Sequence, residues 1–294
     1  MSIETDYHLV QLANGAYSLH STTHRETFHP VIGPAAEAQA LYVEQLELPR
    51  RFAENQGDFV LWDVGLGAAA NVLTVLKALR NHPGRLRIVS FDHSLQPLEA
   101  GIQHAEKLGY FDEYEITAKT LLNQGQVEFK NGLSTVLWQL HLGDFPTLLH
   151  SNDALTWPKP HAILFDAFSP AKNAAMWTLP LFQRLYQLLD PDRACAMPTY
   201  SRSTLLRVTL LLAGFRVGTG HATGEKEETT IAANQPTLIQ SPLGQVWLKR
   251  ASNSTSAEPL HQAQYCQLPL SDSSRQKLLC HPQFTGGLER RTPF

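Results

Sequence analysis

The stretch Asp58-Phe59-Val60-Leu61-Trp62-Asp63-Val64-Gly65-Leu66-Gly67-Ala68-Ala69-Ala70-Asn71 decides the fold. Its apolar run ends in an acid and glycines, the pattern of a buried parallel strand entering a tight turn, and Ala69 to Arg80 then reads as a helix. Outward from it the alternation continues, with a strand over Leu86–Asp92 and a helix over Pro97–Leu108. After a less regular stretch come a hairpin from Val127 to Trp138 and a strand ending at Phe165-Asp166. A helix over Ala175–Leu189, a strand near Ala194–Met197 and a helix over Ser203–Ala213 follow. Strands separated by helices of this length imply a doubly wound, Rossmann-like α/β fold with a mostly parallel, seven-stranded sheet. The last two strands, Phe215–Gly218 and Thr229–Ala232, have no room for a helix between them, so they must pair as an antiparallel edge. Gly218-Thr219-Gly220 has no helix after it and reads as a turn.

The flanks differ from this body. Residues 1–57 form a turn-rich, His-containing extension expected to pack over the substrate site, with a helix over Ala35–Gln45 that ends at Leu48-Pro49. Residues 58–235 are the expected catalytic domain, and 236–294 a Ser/Pro-rich arm with an apolar patch at Leu243–Leu248 and a helix over Ser273–Cys280. The 294-residue chain has a net charge of −3, but the arm sums to +3, Lys249, Arg250, Arg275, Lys277, Arg290 and Arg291 standing against Glu258, Asp272 and Glu289, leaving the rest at −6. That balance excludes a global cationic field, so any nucleic acid must be met by a local patch. Cys195, Cys266 and Cys280 lack C-x-x-C spacing, and no H-x-x-x-H pair falls on a predicted helix, so no metal is expected. The N-terminus has no signal-peptide pattern and no stretch approaches a membrane span, which sets a cytoplasmic location and no membrane partner as expectations.

In such a sheet, ligands bind at the carboxyl ends of the strands. Four places put polar residues there. Asp63, Gly65, Gly67 and Asn71 stand at the first strand–helix turn, where glycines let a cofactor approach the backbone. Asp92 ends the second strand and suits ribose hydroxyls. Asp144 follows Gly143 at a further strand end and suits an adenine amine. Helix capping is the alternative role for both acids. The fourth place is Asp166-Ala167-Phe168-Ser169-Pro170-Ala171-Lys172-Asn173, followed by Met176-Trp177. A protonated amine has no lone pair with which to attack a methyl group, so a site that methylates amines must orient the amine and favour its neutral form. Asp166 can accept a hydrogen bond or a proton from the amine, while Phe168 or Trp177 stacks on a planar substrate ring.

The run Phe165 to Thr178 closely resembles the signature of the methyltransferase domain of MnmC, the bifunctional tRNA-modifying enzyme, and of its stand-alone relatives. Agreement extends through Asp63–Gly67 and Asn71, Ser90-Phe91-Asp92, Gly143-Asp144, Ala213-Gly214-Phe215, and Lys226 with Glu228, and forward to Glu37 and Leu41-Tyr42-Val43, covering roughly residues 15–235. The resemblance implies methyl transfer from S-adenosylmethionine to the amine of 5-aminomethyl(-2-thio)uridine at the wobble position of tRNA. It assigns Asp166, Phe168 and Lys172 to catalysis and Glu37, Pro170, Trp177 and Lys226 to substrate binding. Fused family members also carry an FAD-dependent oxidoreductase domain; this chain is expected to perform the methylation step alone.

Two departures stand out. Ala68-Ala69 replaces the last two residues of the family's G-F-G-T-G loop, and Gly224-Glu225-Lys226-Glu227-Glu228 replaces a basic run, while Arg207 beside Val208 stands where the family has paired arginines. Each lost cation removes about one phosphate-type contact, which shifts weight to the basic arm if RNA is the substrate. A methyltransferase of a small-molecule amine and a non-catalytic S-adenosylmethionine-binding accessory protein are the competing readings. Asp166 argues against the second.

Overall fold

The computed structural model describes residues 6–224 and 227–285. Lys226, Arg290 and Arg291 lie outside the described residues. The chain opens with strands β1 (Tyr7–Gln11), β2 (Tyr17–Ser21) and β3 (Glu26–Thr27), which form a three-stranded antiparallel sheet. The main sheet follows in β4 (Asp58–Val64), β5 (Gly84–Asp92), β6 (Gln126–Asn131), β7 (Ser134–Leu142), β8 (Ala162–Phe165), β9 (Ala196–Thr199), β10 (Arg216–Gly220) and β11 (Thr229–Ala233). Its order is β10-β11-β9-β8-β4-β5-β7-β6. The pairs β4/β5, β4/β8, β5/β7 and β8/β9 are parallel, and the closing β10/β11 hairpin is antiparallel, with β11 lying antiparallel beside β9. Eight strands stand where seven were expected, the additional one being β6, which pairs antiparallel with β7 at the edge of the sheet.

Strand β4 shows why this sequence makes a central strand. Phe59 and Leu61 enter the core on one side of the sheet, Val60, Trp62 and Val64 the core on the other, and all are at most 3% exposed. Helices Ala70–Leu79 and Gln96–Gln103 cover the first face; Leu179–Leu188 and Thr204–Leu212 cover the second.

Several local expectations are corrected. The segment before β4 forms a helix over Pro34–Ala38, a π-helical stretch over Gln39–Glu44 and a second helix over Leu48–Glu54. Pro49 therefore sits in a first turn, where its missing N–H costs nothing, and it starts a helix instead of ending one. The less regular stretch holds a helix over Glu115–Gln124. Gly218 and Gly220 lie inside β10. The following chain packs so tightly on that strand that a Cβ on Gly218 would sit 2.6 Å from the Ser241 carbonyl oxygen. The arm continues this contact: Thr219 N donates to Ser241 O at 2.9 Å and Leu243 N to Val217 O at 3.0 Å, covering the β10 edge. Its helix Gln245–Ser252 buries Trp247, Leu248 and Ala251 in the second core, joined by Leu260 and Leu278. Lys249, Arg250 and Lys277 point outward, whereas Arg275 is half-buried.

Candidate active site

A cavity of about 780 Å³, within the usual range of ligand sites, opens at the carboxyl ends of β4, β5, β7 and β8. The N-terminal sheet forms part of its wall through Leu19, His20, Glu26 and Phe28.

The first wall is the turn after β4. Gly65 has φ +92°, and a Cβ there would lie 2.6 Å from the Asp166 carbonyl oxygen, so glycine is what lets the β4 and β8 turns touch. Gly67 N donates to Asp92 Oδ2 at 2.9 Å, which ties this loop to the end of β5. Asp92 Oδ1 accepts from Ser94 N at 3.2 Å, and His93 Nδ1 lies 3.3 Å from the same oxygen, raising the His93 pKa. Asp144 caps the helix Phe145–His150 by accepting from Thr147 N at 3.1 Å, and it still lines the cavity. Both acids thus combine a structural bond with a place on the wall.

Asp166 follows β8 at the centre. Its Oδ2 accepts from Asn71 Nδ2 at 2.8 Å and lies 3.2 Å from His29 Nε2. The other His29 nitrogen, Nδ1, is 3.7 Å from Glu37 Oε2. Burial alone would lower the His29 pKa, but the Asp166 charge and the hydrogen bonds to Asp166 and Glu37 push it up to about 10. Burial and these same carboxylates raise the hydroxyls of Tyr42 and Tyr200 well above the ordinary tyrosine range. Phe168 stacks on His24 with ring centroids 4.1 Å apart and meets Phe28 at 5.5 Å. Lys172 and Arg25 are exposed cations on the cavity wall.

Of the residues singled out by sequence, Glu37, Gly65, Gly67, Asn71, Asp92, Asp144, Asp166, Phe168 and Lys172 come together around this one cavity. Three do not. Asp63 is fully buried and absent from the wall; Ser90 Oγ donates to its Oδ2 at 2.7 Å, and burial raises its pKa to about 7. Trp177 is also fully buried, packed on Phe165, Phe182 and Tyr200. Its indole N–H donates to the Phe168 carbonyl at 2.7 Å, so it positions that loop and cannot stack on a substrate ring. Pro170 lies off the wall. Arg207 is buried too, bonding Thr230 Oγ1, the Thr229 carbonyl and Glu228, which accounts for it as a structural cation unavailable to a phosphate. Sequence reading missed His29, His24 and Phe28.

The model for an S-adenosyl-L-methionine-dependent methyltransferase family matches residues 112–235. The bifunctional tRNA 5-methylaminomethyl-2-thiouridine biosynthesis protein MnmC of Methylibium petroleiphilum is 30% identical over 246 residues, which is 80% of this chain. Over the matched residues the chain is similar to that methyltransferase family and to part of the MnmC protein. The MnmC protein of Aeromonas hydrophila is 28% identical over 207 residues, 66% of this chain. The chain spans about a third of these relatives, 35% of the first and 30% of the second. Its fold is shared with the crystal structure of MnmC2 from Aquifex aeolicus, with a TM-score of 0.69, 23% identity and coverage of 95% of this chain and 85% of that one.

The cavity fits the cofactor of an S-adenosyl-L-methionine-dependent family. The Gly65–Gly67 turn leaves room for close backbone approach, and the Asp92 and Asp144 carboxylates are acceptors for hydroxyls and an amine. Asn71 Oδ1, on the wall, is buried with no partner among the described residues, an acceptor suited to an ammonium. Among the described residues there is no His, Cys, Asp or Glu cluster that could hold a metal, and no helix long and apolar enough to cross a membrane.

Proposed function

We propose that this chain transfers the methyl group of S-adenosyl-L-methionine to the primary amine of 5-aminomethyl(-2-thio)uridine at the wobble position of cytoplasmic tRNA. The observation that carries this reading is Asp166: a carboxylate on the cavity wall, adjoining the Gly65 turn and followed two residues later by an aromatic wall. The MnmC relatives, by name biosynthetic proteins of tRNA 5-methylaminomethyl-2-thiouridine, supply the substrate class.

When bound, the cofactor supplies an electrophilic methyl group on a sulfonium. The chain's own residues do the rest. Gly65, Gly67, Asn71, Asp92 and Asp144 hold the cofactor. Asp166 accepts a hydrogen bond from the neutral amine, aims its lone pair, and takes the proton released when the N–C bond has formed. Phe168, already stacked on His24, offers an aromatic edge against which a pyrimidine can lodge. Glu37 acts through His29. Arg25 and Lys172 at the mouth, with the outward Lys249 and Arg250 of the arm, supply contacts to tRNA phosphates. Domain boundaries near residues 57 and 235 belong to the same reading.

A small amine is the second reading, favoured by Arg207 and Glu228 being consumed by each other. Incubation with labelled S-adenosyl-L-methionine and tRNA lacking the final wobble methylation separates the two. Label in RNA supports the proposal; label only in small amines overturns it.

A further inference from the structure

Between β2 and β3 the chain turns through Thr22-Thr23-His24-Arg25, and the two strands share only two residue pairs, His20 with Thr27 and Ser21 with Glu26. So short a ladder fixes little by itself. Arg25 also holds a left-handed backbone, φ +51°, which a residue bearing a side chain adopts when its surroundings impose it. Yet this turn carries two residues of the cavity wall, His24 and Arg25. It sets the His24 ring on Phe168 with centroids 4.1 Å apart and planes within 21° of parallel.

Asp6 holds this turn from outside the cavity, immediately before β1. Its Oδ1 accepts from Thr23 N at 2.8 Å, from Thr23 Oγ1 at 2.6 Å and from Thr22 Oγ1. Its carbonyl oxygen accepts from Thr22 N at 2.9 Å. Its Oδ2 accepts from Ser21 Oγ at 3.3 Å, and that same Ser21 oxygen accepts from the backbone N–H of His24 at 3.2 Å. One carboxylate thus meets every residue from Ser21 to Thr23 and reaches His24 through a single hydroxyl. The hydroxyl bonds from Thr22 and Thr23 hold its carboxyl down at about 2, so it stays charged across the working range.

We propose that Asp6 is a positioning residue: it fastens the 22–25 turn so that His24 rests on Phe168, and the two rings together form the wall against which the substrate's pyrimidine lodges. The inference rests on the reading above, in which Phe168 faces the base. The other side of the turn is tied to the Phe168 loop itself. Ser169 Oγ donates to Glu26 Oε2 at 3.3 Å, and Phe28 meets Phe168 at 5.5 Å. With both sides held, the two rings are placed before a base arrives, so ordering them takes nothing from the free energy of binding. Without the carboxylate the turn keeps the Thr22 N bond to the residue 6 carbonyl but loses its hold on Ser21 and Thr23. His24 is then free to leave Phe168, and the base meets a wall that it must order.

The test is a double-substitution cycle on Asp6→Ala and His24→Ala, reading KM and kcat for tRNA that carries 5-aminomethyluridine. Each single variant should raise KM about tenfold, with the smaller change in kcat. The double variant should be no worse than the worse single one, because Asp6 acts through His24. Asp6→Asn keeps an oxygen that can accept from Thr23 and should recover most of the loss. Effects that multiply in the double variant would overturn the proposal, as would a wild-type KM in Asp6→Ala. The His24 ring protons give a readout independent of catalysis. Stacked on Phe168, they should resonate upfield of those of exposed histidines and move back downfield in Asp6→Ala; unmoved shifts would overturn the proposal. If Asp6→Ala fails to fold, Thr22→Val with Thr23→Val, both at exposed positions, removes the hydroxyl bonds from the other side and takes its place in the cycle. A wild type that moves no methyl group to this tRNA overturns the functional reading, whereas the ring shifts alone decide whether Asp6 places His24.

Discussion

Replacing Gly65 by alanine probes the contact on which the cavity is built. The residue has φ +92°, outside the range that side-chain-bearing residues favour, which costs about 1–2 kcal/mol. The added Cβ would also lie 2.6 Å from the Asp166 carbonyl oxygen and 3.1 Å from its carbonyl carbon, both backbone atoms that cannot rotate away. Relief requires the β4 and β8 turns to part, and such overpacking typically costs a further ~1–3 kcal/mol. Gly109 is the control: its φ is +69°, and a Cβ there meets nothing within 4 Å, so Gly109→Ala carries the conformational cost alone. Urea unfolding should show Gly65→Ala less stable than Gly109→Ala by about 1–3 kcal/mol. Methyl transfer should also fall in Gly65→Ala alone, because Asp166 moves with its backbone. Equal stability losses in the two variants, with activity retained in Gly65→Ala, would refute the claim that this contact sets the position of Asp166.

Other perturbations separate structural roles from functional ones. Ala69 holds φ +63° at the start of its helix, so Ala69→Gly should raise unfolding stability by up to about 1 kcal/mol without weakening cofactor binding, as read by denaturant titration and calorimetry. Asp63 carries a folded pKa raised to about 7 from 3.8, so its contribution to stability is complete below pH 4 and is lost as pH rises through 7. The melting temperature of Asp63→Asn should therefore gain on the wild type between pH 4 and 7 and hold that lead above it; a constant difference would show that Asp63 does not titrate there. Deleting the arm would remove Trp247 and Leu248 and expose the core they pack into, so the clean test of its charge is Lys249→Glu with Arg250→Glu, expected to raise KM for tRNA and flatten its salt dependence with kcat unchanged.

The parts of this architecture legible in the sequence are those written locally. Phe59–Val64 is apolar at every position but Asp63, and the following glycines announce the turn, so β4, its helix and the Gly65–Gly67 wall of the cavity follow from one short stretch. The closing hairpin was legible from loop length alone. The N-terminal sheet carried a signal that composition obscured: Tyr7–Gln11 and Tyr17–Ser21 flank Asn14-Gly15, a turn pair, amid histidines and threonines that read as loop. His29 had no local signal, because its meaning lies in Glu37 and Asp166, which only the tertiary fold brings to it. Trp177 shows the reverse. An indole in this motif looks like a stacking platform, yet the packing of Phe165, Phe182 and Tyr200 turns it inward, while Phe168 lines the cavity.

The central claim is that Asp166 faces an amine on tRNA awaiting a methyl group. It is tested most directly by digesting tRNA after incubation with the protein and S-adenosyl-L-methionine, and weighing the wobble nucleoside. The wild type should convert 5-aminomethyl(-2-thio)uridine to a product heavier by one methyl group, and Asp166→Ala should yield none while binding the cofactor within a few-fold of the wild type. An unchanged nucleoside with the wild type, or full conversion with Asp166→Ala, would contradict it.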